Sequence, residues 1–151
     1  MKKFFLSIDQ GTTSTRTVLY DFRFKYIDQE QIEIKQFYPK PGYVEHDAEE
    51  IWEKTYKTFR KLLKKHDLQP AQIISIGITN QRETVLGWNS KTGKPIGKAI
   101  VWQDRRTSAF CDSLKQKGLE PEINEKTGLL LDPYFSASKL SWLKNKSKAQ
   151  F

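Results

Sequence analysis

Apolar and polar positions along the chain divide it into short strands first and helices later. Residues 3–9, Lys-Phe-Phe-Leu-Ser-Ile-Asp, form a mostly apolar run that predicts a strand ending at Asp9. A small, polar loop follows (Gln10-Gly11-Thr12-Thr13-Ser14). The β-branched and aromatic run Thr15–Tyr20 then predicts a second strand, and Tyr26–Lys35 a third with Ile32 and Ile34 on one face. Connections this short predict an antiparallel meander. The turn near Asp21–Lys25 holds Phe22 and Phe24 but no Gly or Asn, which is unusual chemistry for a hairpin.

The prolines and glycine of Tyr38-Pro39-Lys40-Pro41-Gly42 mark a loop, and a helix follows it. Asp47 is placed to cap that helix, with Glu50 as its capping-box partner. Acidic Glu49 and Glu50 occupy the first turn and basic Lys61, Lys64 and Lys65 the last, as the helix dipole favours. Trp52, Tyr56, Phe59 and Leu63 recur at helical spacing and read as the core-facing stripe. Ile73–Thr79 is dense in β-branched residues and predicts a buried strand. Thr84–Trp88 and Ala99–Trp102 predict two more, with a turn over Asn89–Pro95 between them. Helices are expected from about Asp104 to Lys117, near Glu120–Lys126, and from about Ser136 into the lysine-rich end at Phe151. Gly118 and Gly128 stop the first two. The order predicts one α/β domain with a partly antiparallel sheet. The chain stops after a helix, without the closing strand such sheets supply, and so reads as a truncated piece.

Composition narrows this picture. With 151 residues the chain suits one ordinary domain. Nine Phe, six Tyr and four Trp supply core material that a disordered chain lacks. No apolar run is long enough to span a membrane, and Phe4–Ile8 is too short for a signal-peptide core. A single cysteine, Cys111, excludes an internal disulfide and any cysteine-based zinc cluster, and suits a reduced, cytoplasmic setting. The net charge of +8 raises anionic partners, but the lysines are spread from end to end without an arginine-rich block and read as solvated surface.

Four segments carry candidate chemistry. In Asp9-Gln10-Gly11-Thr12-Thr13-Ser14-Thr15-Arg16, a carboxylate at a strand end precedes a glycine and three hydroxyls. Such a turn presents N–H and O–H donors to phosphate oxygens. Asp9 can hold Mg²⁺ through water, and Arg16 adds a fixed positive charge. An ordinary hairpin turn favours the same residues. Asn80-Gln81-Arg82-Glu83-Thr84 offers a guanidinium and a carboxylate just beyond a strand, a set able to grip neighbouring hydroxyls; a surface ion pair is the plain alternative. In Trp102-Gln103-Asp104-Arg105-Arg106, the indole can cover the C–H face of a small hydroxylated ligand. Asp104 there can serve as a helix N-cap, while both arginines read as structural or solvent-facing. In Leu131-Asp132-Pro133-Tyr134-Phe135-Ser136, Tyr134 can bond a substrate hydroxyl or simply pack over the last helix. His46 and His66 lack metal-ligand spacing, and helix-flanking or surface roles suffice for them. Cys111 lies mid-helix without an evident base and reads as a buried thiol.

Together these segments, with Tyr38–Asp47 and Ala99–Thr107, resemble the FGGY family of carbohydrate kinases, in order and over essentially the whole chain. Asn-Gln-Arg-Glu-Thr points to its glycerol-phosphorylating branch. The resemblance implies a ribonuclease-H-like, actin-like ATPase domain, here only the first part of the amino-terminal, sugar-binding domain. It implies that Thr12, Thr13, Ser14 and Arg16 meet the nucleotide phosphates, that Asp9 lies near Mg²⁺, and that Arg82, Glu83, Trp102 and Tyr134 contact glycerol. ATP and Mg²⁺ would be the cofactors, glycerol the other small-molecule partner, with no nucleic-acid or membrane partner and a homo-oligomeric full-length protein. It also places the general base, an Asp, and the second ATPase domain beyond Phe151, so the chain alone is expected to be inactive. Two other readings are a non-catalytic interaction module and a ribonuclease-H-like nucleic-acid enzyme. The second lacks the converging carboxylates that two-metal chemistry needs.

Overall fold

The computed structural model describes residues 2–148. Its strands are β1 (Phe4–Gln10), β2 (Ser14–Asp21), β3 (Tyr26–Glu33), β4 (Gln36–Phe37), β5 (Glu45–His46), β6 (Ile73–Thr79) and β7 (Ala99–Ile100). Its helices are α1 (Ala48–Lys65), α2 (Ser108–Gln116), α3 (Glu120–Thr127) and α4 (Ser136–Lys148). By its internal contacts the chain divides into two compact units. One is Met1–Gln36 with Asp47–Gln81, the other Phe37–His46 with Arg82–Phe151.

The first unit is built on a mixed sheet in the order β3-β2-β1-β6. The expected meander is present, β1 and β2 antiparallel and β2 and β3 antiparallel, while β6 runs parallel to β1. Asp21 explains the turn without glycine. Its Oδ1 accepts from the Arg23 and Lys25 amides, and Phe24 adopts a left-handed φ of 59° while stacking on Phe5 at 4.5 Å. Side-chain capping by Asp21 and the Phe5–Phe24 stack stand in for the glycine that the backbone would otherwise need.

Helix α1 begins where the sequence places it, with Asp47 Oδ1 accepting from the Glu49 and Glu50 amides. The Glu50 carboxylate is engaged by the Lys35 amide and the Lys54 ammonium. The inward face differs from the expected aromatic stripe. Thr58 and Leu62 are buried, Phe59 and Leu63 pack at the edge of the Leu6–Leu19–Leu62 cluster, and Trp52 and Tyr56 are exposed and stacked on each other at 5.9 Å. The reason is chemical: α1 meets β2 through hydroxyl pairs, Thr15 with Thr55 at 3.0 Å and Thr17 with Thr58 at 2.9 Å, which turns the aromatics outward. Strand β6 also departs from expectation. It lies at a sheet edge, and Ile74, Ile76 and Ile78 are exposed.

In the second unit β5 pairs antiparallel with β7, and Val85, Ala99, Ile100, Val101, Cys111 and Leu131 form the buried apolar set. The strand expected over Thr84–Trp88 reduces to two isolated bridges, Val85 with Ile100 and Trp88 with Pro95. The one expected over Ala99–Trp102 keeps only its first two residues. His46, expected at a helix flank or surface, is fully buried, because its place in β5 opposite Ala99 puts it inside the unit. Asp104 is no helix cap, since α2 starts at Ser108 behind Thr107. It is a buried acceptor: Oδ2 takes the Val44 amide at 2.7 Å and Arg106 Nη2 at 2.8 Å. Gly128 ends α3 at φ 73°, the left-handed conformation that helix termini assign to glycine. The extreme end at Phe151, placed in the last helix from sequence, lies outside the described residues.

Candidate functional site

The phosphate-loop candidates belong to the first unit. Asp9 and Arg16 are direct cross-strand neighbours on β1 and β2, and Arg16 Nη2 meets Asp9 Oδ2 at 2.6 Å with both side chains about 40% exposed. A half-exposed pair of this kind is worth little as stability, which leaves both groups available to a ligand. Between them the chain turns tightly. The Gly11 amide donates to the Ser14 carbonyl at 3.0 Å, and a Cβ at position 11 would stand 3.0 Å from that same oxygen. Glycine is therefore favoured by the closeness of the turn rather than by its φ. Gln81, just past β6, donates its Nε2 to the Gly11 carbonyl at 2.9 Å and ties the loop down. Thr13 is exposed, its carbonyl accepting from the Ile34 amide; Ser14 Oγ accepts from Gln31.

The polyol candidates belong to the second unit, where three of the four converge. Glu83 sits at φ 62°, an uncommon conformation for a residue with a side chain. Its carboxylate reaches the first turn of α4, where Oε2 accepts from the Ser136 amide at 2.7 Å and the Ser136 hydroxyl at 2.6 Å. The dipole of α4 favours a negative charge at that end. Tyr134, two residues before Ser136, meets Trp102 edge to face at 5.8 Å. The Tyr134 amide is fixed by Asp132 Oδ1 at 2.8 Å, an Asx turn, and Asp132 also receives exposed Arg105 at 3.1 Å. Trp102 donates its amide to Thr84 Oγ1 at 3.3 Å. A carboxylate with one oxygen spent on the helix, next along the chain to an exposed guanidinium at Arg82 and held to the segment of a tyrosine–tryptophan corner, offers donors, acceptors and an apolar wall.

Beneath this corner lies Lys139 of α4, fully buried. Its Nζ donates to the Glu83 carbonyl at 2.9 Å and to the Tyr134 carbonyl. Burial pushes its ammonium below the ordinary lysine value, against the pull of the Glu83, Asp104 and Asp132 carboxylates. Arg106 is the structural arginine of the pair Arg105–Arg106. It is clamped by Asp104 and Glu45 and sandwiched by the rings of Tyr43 at 4.1 Å and Trp142 at 4.6 Å.

The sequence matches the FGGY family of carbohydrate kinases, N-terminal domain, over residues 4–151. The chain belongs to this family. Among FGGY relatives, the glycerol kinase of Sinorhizobium fredii is 56% identical over 143 residues, 95% of this chain and 29% of the relative. The solved structure of Plasmodium falciparum glycerol kinase with ADP superimposes with a TM-score of 0.86 at 37% identity, covering 94% of this chain and 28% of that one. Gluconate kinase from Lactobacillus acidophilus gives 0.89 at 28% identity, over 98% and 29%. The chain thus spans about 29% of the length of the curated relatives it matches. These likenesses bear out the expected α/β, actin-like and ribonuclease-H-like class.

FGGY kinases as a class imply a nucleotide and Mg²⁺, and Asp9 suits that ion. Mg²⁺ keeps several waters and takes one or two carboxylates with phosphate oxygens rather than a protein cage. Among the described residues no group of three His, Cys, Asp or Glu forms such a cage, while Asp9 Oδ1 is left over by the Arg16 contact. Gln81 and Ser136 lie inside the motif segments, but the motifs assign them no role, and Lys139 carries no motif signal at all. A lysine in a lysine-rich helix carries no sign of burial; only its phase relative to Ser136, three residues earlier, hints that both face one way.

Proposed function

We propose that this FGGY chain supplies the phosphate loop and the polyol contacts of a glycerol kinase, which transfers the γ-phosphoryl of ATP to a terminal hydroxyl of glycerol, giving glycerol 3-phosphate and ADP. The observation that carries the reading is Glu83, held by Ser136 in a segment that also bears the Tyr134–Trp102 corner. Identity of 56% with a glycerol kinase supports it. Glu83 and Arg82 would share the hydroxyls, each of which donates and accepts, and Trp102 and Tyr134 would cover the carbon face. Thr12, Thr13, Ser14 and Arg16 would hold the phosphates of ATP. Mg²⁺ at Asp9 would neutralise part of their charge. Phosphoryl transfer of this type rests on alignment and charge stabilisation, with a carboxylate taking the hydroxyl proton. The resemblance puts that carboxylate beyond position 151.

Glycerol titrated into the labelled chain tests the reading. It is expected to move the Trp102 indole and Glu83 amide resonances saturably, and Glu83→Ala to abolish the response. Unchanged resonances in the wild-type chain, or the same response in Glu83→Ala, would sink it. The 151-residue chain by itself is expected to release no glycerol-dependent ADP. Release well above that of Thr12→Ala and Arg82→Ala chains would show that expectation wrong.

A further inference from the structure

A buried lysine is a poor choice for stability alone. Taking an ammonium out of water costs several kcal/mol unless it is fully paired, and an apolar side chain of similar volume packs at least as well. Lys139 nevertheless has no solvent exposure, and its Nζ donates to backbone carbonyls of the two polyol segments, Glu83 and Tyr134. Helix α4 therefore grips Glu83 at both ends. The Ser136 amide and hydroxyl hold the carboxylate, and one turn later Lys139 holds the main chain. Glu83 needs such a grip, because its φ of 62° is a left-handed conformation that a non-glycine residue leaves unless its surroundings fix it. The Tyr134 carbonyl, bound by the same ammonium, sets the distance between the carboxylate-bearing segment and the ring-bearing one.

We propose that Lys139 is a positioning residue of the polyol site, a cationic tie between the Glu83 and Tyr134 segments that fixes the carboxylate and the aromatic corner for a small polyhydroxyl substrate. The assignment of the substrate rests on the proposed function above; the tie itself does not. Because Lys139 acts through two carbonyls, its effect is on geometry and not on the reacting atoms.

The experiment compares wild-type, Lys139→Met and Lys139→Arg chains by NMR, with glycerol as the probe. Met keeps the length and volume but removes every donor, whereas Arg keeps donors and charge. In Lys139→Met the amide protection of α4 is expected to persist. The strong intraresidue amide–Hα contact that marks positive φ at Glu83 should vanish, together with the Trp102–Tyr134 ring contact. Glycerol affinity should fall about tenfold or more, as the loss of a charged hydrogen bond implies. Lys139→Arg should recover part of all three. If Lys139→Met retains the Glu83 and ring signatures, the tie is refuted, whatever its global stability. Should that variant not fold, the wild-type ammonium decides. A slowly exchanging Nζ resonance correlated with the carbonyl carbons of Glu83 and Tyr134 supports the tie, and a rapidly exchanging one overturns it. If wild-type chain ignores glycerol while Lys139→Met loses the Glu83 and ring signatures, the polyol reading fails and the positioning role stands.

Discussion

Asp104 is wholly buried and the Arg106 side chain is 2% exposed, so neither charge has water to fall back on. Burial alone would lower the Arg106 pKa, but hydrogen bonds and Coulombic attraction from Asp104 and Glu45 outweigh it and raise the value. Removing one partner strands the other. Arg106→Met is expected to cost about 3–5 kcal/mol in urea unfolding, since a buried carboxylate would remain uncompensated. A cost below about 1 kcal/mol would mean that the pair is solvated. Asp28 shows the opposite regime at the surface. Contacts at 2.7 Å from Lys65 and His66 hold its carboxyl well below the usual carboxylate range. A depressed folded-state pKa contributes stability above the unfolded value of about 4, and this is lost as pH falls through the folded one. Urea midpoints measured between about pH 5 and pH 2 should therefore fall less in Asp28→Asn than in wild type. Equal slopes would refute the linkage.

At the scale of elements, α1 and β2 are joined by hydroxyls whose roles can be ordered. Thr58 donates to the Thr55 carbonyl, so Thr17 is the donor to Thr58; Thr55 donates to Gln10 Oε1, so Thr15 is the donor to Thr55. Thr58→Val leaves the Thr17 hydroxyl without its acceptor and is expected to cost about 1–3 kcal/mol, while adding Thr17→Val should return most of that. A double-mutant cycle with additive losses would rule out the coupling. This interface also shows what the sequence could and could not disclose. Asp47 was legible as a cap because capping is local, and Ile73–Thr79 as a strand because β-branched density is local. Helical spacing of Trp52, Tyr56, Phe59 and Leu63 revealed an amphipathic helix but not the phase of its buried line, which runs through Thr58 and Leu62. The Asp104–Arg106 pair was hidden for a related reason: its burial depends on Glu45, Tyr43 and Trp142, far away in the chain. Of the proposed site, Glu83, Trp102 and Tyr134 stand out through motif resemblance, whereas the contacts of Ser136 and Lys139 with Glu83 exist only in the folded chain.

For the molecule as a whole, the two edges of the main sheet are unlike. Strand β3 carries Asp28, Glu30 and Glu33, charges of the kind that discourage edge pairing, whereas β6 has no charged residue and exposes Ile74, Ile76 and Ile78. The 151-residue chain is accordingly expected to sediment faster as its concentration rises, and Ile76→Lys to shift it back toward monomer. A wild-type chain that remains monomeric throughout would contradict this. Salt should weaken the association little, because apolar contact rather than ion pairing drives it.

Cys111, the chain's sole thiol, is shut away in α2 at 2% exposure. A disulfide reagent can reach it only when its surroundings open, so the rate of labelling is an intrinsic clock for excursions of the second unit, read without adding any probe.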